Sequence, residues 1–119
     1  MRLSLQNLNE LSRKMRLVSV KRKQNGADIK TDTVSMLKHC ATEVVETMEA
    51  YTEYEKELSY SDYPTSEAYK LKEKFASELA DIICCALIAS DIEGVDIEGA
   101  LTECYEKNLA RSELRGDKL

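Results

Sequence analysis

Apolar residues recur every three or four positions in four stretches of the chain, and breakers separate these stretches. The first stretch covers residues 3–23, with Leu3, Leu5, Leu8, Leu11, Met15, Leu17 and Val18 mostly at helical spacing. The segment KQNGAD then stops the pattern, with Asn25-Gly26 as the breaker. A second helix is expected to start near Asp32 or Thr33, either of which can cap it, and to run through VSMLKHCATEVVETMEAYTEYEKEL to about Leu58. SYSDYPTS is the clearest loop, because Pro64 and its polar neighbours break a helix. A third helix is expected from about Ser66 to Ile92, ended by Gly94. A fourth begins after Asp96, a good N-cap, and runs IEGALTECYEKNLARSEL to about Leu114. Four helices on short turns predict one all-α, four-helix bundle-like domain over residues 1–119, with the second and third helices as antiparallel neighbours.

The polar positions that interrupt these stripes are as informative as the stripes. In FASELADIICCALIAS, Asp81 is the one charged residue between Leu79 and Ala89, and Glu78 lies one turn before it. Residues three or four apart share a helix face, so Glu78 and Asp81 project together, on the arc of Ile82, Cys85, Ile88 and Ala89. The second helix repeats the device in HCATEVVE, where His39, Glu43 and Glu46 lie on one side, flanked by Met36, Cys40, Val44 and Tyr51. Two antiparallel helices so marked can bring four carboxylates together. Carboxylates in a dry place need cations, either Lys and Arg or a hard divalent metal. An all-oxygen set favours Mg²⁺ or Mn²⁺ over zinc, and Mg²⁺ is commonly completed by substrate phosphates. In the fourth helix, YEKNLAR carries Lys107, Asn108 and Arg111. These cations suit the helix dipole, or they form a phosphate clamp with Asn108 as a hydrogen-bonding partner. His39 is the one histidine; it is a structural residue, or it orients Glu43 or touches substrate.

Composition narrows the setting. The 119 residues are 43% hydrophobic and 33% charged, with one Pro and four Gly, which suits a soluble helical domain and argues against a turn-rich β fold. No apolar run approaches the roughly 20 residues that span a membrane, and MRLSLQNLNELSRKM lacks the apolar stretch of a secretory signal, so a cytoplasmic protein is expected. Residues 1–30 hold eight Lys/Arg and two Asp/Glu, a net of +6, while the rest hold nine and twenty, a net of −11. The basic arm is a solvated face, or it meets nucleic acid, a polyanionic substrate or the acidic part of a second subunit; with the chain acidic overall, nucleic acid ranks last. Cys40, Cys84, Cys85 and Cys104 show no CxxC spacing and read as small core residues.

Taken in order, HCATEVVE, FASELADIICCALIASDIEGVDIEGAL and YEKNLAR resemble the MazG-like all-α nucleoside triphosphate pyrophosphohydrolases over about residues 36 to 114. The family pattern is H-x-x-E-E-x-x-E on one helix, E-x-x-D on the next, and then a helix bearing Lys, Asn and Arg. The resemblance implies metal ligands and a catalytic role at Glu43, Glu46, Glu78 and Asp81, and phosphate contacts at Lys107, Asn108 and Arg111. It implies Mg²⁺, or Mn²⁺ in its place, and attack of water between the α- and β-phosphates of a nucleoside triphosphate to give a monophosphate and pyrophosphate. It also implies a homodimer or homotetramer with sites near the subunit contacts. Thr42 stands where the pattern has its first Glu, Cys104 replaces a frequent Lys, and there is no Trp to stack on a base. The competing expectation is a non-catalytic helical oligomerisation or regulatory module, or a degenerate family member. A di-iron bundle would need Glu-x-x-His pairs on two helices, and the chain's single His precedes its Glu.

Overall fold

The computed structural model describes residues 7–27 and 31–116. It contains four helices, α1 (Leu8–Gln24), α2 (Thr33–Leu58), α3 (Ser66–Ile92) and α4 (Ile97–Leu114), and no strand among the described residues. Leu3 and Leu5, read above as part of the first stripe, lie outside those residues.

Each helix starts where a short polar side chain can take up a loose backbone N–H. Asn7 accepts from the Glu10 amide, Asp32 from Ser35, Thr65 from Ala68 and Asp96 from Gly99, at 2.9 to 3.1 Å. Of the two caps considered for α2, Asp32 therefore serves, and Thr33 instead bonds its hydroxyl to the Glu93 carboxylate. The turn after α3 needs a residue at φ +66°, which glycine supplies at position 94.

Helices α2 and α3 form an antiparallel hairpin. The Cys40 thiol approaches the Ile82 carbonyl at 3.9 Å, Tyr51 meets Phe75 at 5.4 Å between ring centres, and Glu53 pairs with Lys74 at 3.6 Å. The α2 number rises along this series as the α3 number falls. By contrast α1 runs parallel to α3, since the Ser12 hydroxyl donates to the Leu87 carbonyl and Arg16 reaches Asp91 at 3.4 Å. The core lies along this seam, with Leu11, Met36, Ala50, Ala68, Cys85, Leu87 and Ile88 buried. Leu17 and Val18, expected in the stripe of α1, are exposed instead, because α3 covers only the face that carries Leu11, Ser12 and Ser19.

Helix α4 is attached differently. It contributes no buried residue and meets α1 at its N-terminal end. There Asn9 donates to Asp96 at 2.8 Å and accepts from the amides of Ile97 and Glu98, while its own amide donates to Glu98. No helix among the described residues is long and apolar enough to cross a membrane.

Candidate metal and anion site

The hairpin brings the expected acids together. Glu43 and Glu46 share one side of α2 by their three-residue spacing, and the antiparallel packing sets Glu78 of α3 against them. Glu43, Glu46 and Glu78 each offer a carboxylate oxygen within 4.8 Å of the others, with Glu43 buried, Glu78 half-buried and Glu46 exposed. Asp81 is not in that three-way group. It is exposed, and it lines the same hollow as Glu43.

The electrostatics are those of a site short of positive charge. Among the described residues no Lys or Arg forms an ion pair with Glu43, Glu46 or Glu78; the nearest basic group is His39, whose Nε2 lies 3.2 Å from Glu43 Oε1. Glu43 Oε2 and Glu78 Oε2 are buried without a hydrogen-bond donor. Two carboxylates can bond to each other only by sharing a proton, and Glu43 is held ready to take one. Its pKa is raised to about 7, first by burial, then by the bond to Glu78, then by the charges of Glu46, Asp81 and Glu78. A hard divalent cation fits the residues present: the donors are all oxygen, two of them are buried and unsatisfied, and a cation would supply the missing counter-charge.

Thr42 is exposed and turns its hydroxyl back to the Lys38 carbonyl at 3.3 Å, away from the cluster. The thiols divide. Burial pushes Cys85 up to about 11 and raises Cys84, so both stay protonated in the wall of the hollow. Cys104, expected as a core residue, is exposed on α4, where it accepts from Asn108 at 3.7 Å. No family model, curated protein or solved structure matches the chain.

Lys107, Asn108 and Arg111 are exposed on α4. Asn108 and Arg111 line a separate surface hollow with Leu114 and Arg115, and not the hollow of the acids. Within one chain the acidic and basic halves of the expected site are therefore apart. The structure instead puts Arg22 and Ser19 of α1 into the acidic hollow. The sequence held no sharper signal for that pair than the general basicity of the N-terminal arm.

Proposed function

We propose that this protein is a divalent-metal-dependent nucleotide pyrophosphohydrolase of the MazG-like kind, acting on a (d)NTP or related nucleotide. The observation that carries the reading is the meeting of Glu43, Glu46 and Glu78 on a hairpin, with two buried carboxylate oxygens unsatisfied and no Lys or Arg paired to them among the described residues. Glu43, Glu46 and Glu78 would hold Mg²⁺ or Mn²⁺, which when bound supplies Lewis-acid stabilisation of charge on the phosphate oxygens. His39 fixes the Glu43 carboxylate through its Nε2. Asp81, beside the group and open to water, joins the ligands or accepts the proton of the attacking water. The burial of Glu43 strengthens its charge interactions.

The assembly is part of the proposal. Val34, Leu37, Ala41, Val44, Met48 and Tyr51 alternate at spacings of three and four along α2, and all are exposed. A sustained apolar seam at this spacing suits packing against another helix, here that of a second copy in a homodimer or homotetramer. Lys107, Asn108 and Arg111 would then reach the acids across the subunit boundary.

The test is pyrophosphate release from canonical and modified (d)NTPs with Mg²⁺. Glu43→Gln is expected to lower kcat by at least about 100-fold. Asp81→Asn is expected to lower kcat too; retained Mn²⁺ affinity would mark Asp81 as the proton acceptor, and lost affinity as a ligand. A wild-type protein that releases no pyrophosphate from any nucleotide ends the enzyme reading.

The distance of α4 from the acids favours one second reading, a non-catalytic helical oligomerisation or regulatory module. In it the cluster pairs with cations of a neighbouring chain. Thermal melts separate the two, because a metal site gains stability with added Mg²⁺ or Mn²⁺ and a salt-bridged one does not.

A further inference from the structure

Part of the basic N-terminal arm lines the acidic hollow. That hollow has a volume of about 210 Å³ and lies between α1, α2 and α3. Glu43 and Asp81 are on its acidic side, and Ser19 and Arg22 come from α1. Of the three basic residues in the last turn of α1, which are Lys21, Arg22 and Lys23, Arg22 alone lines it. Ser19 and Arg22 are three apart and so share a face.

Two further observations leave this wall able to meet a polar ligand. Ser19 as a residue is 9% exposed and lines the hollow, and its hydroxyl makes no hydrogen bond among the described residues. The buried serines Ser12 and Ser90 both satisfy theirs, on the carbonyls of Leu87 and Ala86. Arg22 forms no ion pair among the described residues, whereas Arg16 on the same helix is paired to Asp91. The orphaned buried atoms of this region are the Glu43 and Glu78 Oε2 oxygens, which a cation satisfies, while the Ser19 hydroxyl is open to donate to a ligand oxygen in the hollow.

The charges on the two sides of the hollow restrict what can bind. A bare anion is repelled by Glu43 and Asp81, and a bare cation by Arg22. A metal–polyphosphate complex answers both, with its cation toward the carboxylates and its free phosphate oxygens toward a guanidinium fork and a hydroxyl.

We infer that Arg22, with Ser19 one turn before it, binds the phosphate oxygens of a metal-complexed polyphosphate whose cation rests on the α2–α3 carboxylates. This rests on the pyrophosphohydrolase reading for the placement of the cation, and it names a substrate contact from the helix that bore no part of the family pattern. It commits the basic arm to the polyanionic substrate among the partners considered above.

The experiment is calorimetric titration of the full chain with inorganic tripolyphosphate in the presence of Mn²⁺, alongside Mn²⁺ alone followed by electron paramagnetic resonance. Arg22→Ala is expected to weaken tripolyphosphate binding by about tenfold or more, which is the scale of one charge-assisted hydrogen bond. Its affinity for Mn²⁺ alone should stay level or tighten, because a like charge has left. Arg22→Lys should recover part of the loss, and the thermal midpoint should not move, since Arg22 is exposed. The inference fails if wild type takes up no tripolyphosphate with Mn²⁺, if Arg22→Ala binds it as wild type does, or if the loss is matched by an equal loss of Mn²⁺ alone. The two readings fail separately. Arg22-dependent tripolyphosphate binding without pyrophosphate release from any nucleotide would sink the activity and keep this contact. Nucleotide hydrolysis with KM unchanged in Arg22→Ala would do the reverse.

Discussion

At the scale of single residues, Glu43 concentrates the physical tension of the molecule. An ionised carboxylate there faces burial and three neighbouring acids, so its folded-state pKa is raised from 4.5 to about 7. In the unfolded chain it titrates near its ordinary value. Between about pH 4.5 and 7 the folded protein therefore holds a proton that the unfolded chain has lost. Its contribution to stability is fully present below the lower value and is lost as pH rises through the upper one, on the order of 3 kcal/mol for the shift. The metal-free protein is thus expected to lose stability to denaturant from pH 5 to pH 8. Glu43→Gln should flatten that slope, and Mn²⁺ at pH 8 should raise the wild type but not the variant. A wild type that grows more stable across this window would contradict the burial argument.

At the scale of elements, the hairpin and the α1–α4 clasp are separable. The α2–α3 seam rests on apolar burial; its exposed Glu53–Lys74 pair adds little. Helix α4 buries no residue, so its attachment depends on polar contacts at one point, the side chain and amide of Asn9 against Asp96, Ile97 and Glu98. Asn9→Ala is expected to speed amide exchange throughout α4 while leaving α2 and α3 protected, with a thermal midpoint lower by about 4 °C. Equal loss of protection in the hairpin would show that α4 supports the core more widely than its contacts indicate.

At the scale of the whole molecule, the chain is open. Its radius of gyration is 17.8 Å, against about 13–14 Å for a compact chain of this length. The α2 seam is left in water, with Met48 64% and Leu37 56% exposed. Burying such a face in a second copy is the simplest way to remove it from water. Sedimentation velocity is expected to give a dimer or tetramer at micromolar concentration. Met48→Lys should shift it toward monomer and lower the thermal midpoint. A wild type that sediments as a monomer throughout would remove the assembly, and with it the route by which Lys107 and Arg111 reach the acids.

Much of the fold was legible in the chain itself. The caps Asp32 and Asp96, the loop around Pro64 and the glycine at 94 are local signals, read within one or two turns, and the helices begin and end beside them. The facing of Glu43 with Glu46, and of Glu78 with Asp81, followed from helical spacing alone. Packing decided the rest, because contacts between distant residues depend on how each helix is rotated and where it crosses its neighbour, which no local window records. It drew Glu78 into a group with Glu43 and Glu46 while leaving Asp81 beside them. It left Leu17 and Val18 in water, kept Asn108 and Arg111 out of the hollow of the acids, and brought Arg22 to its lining.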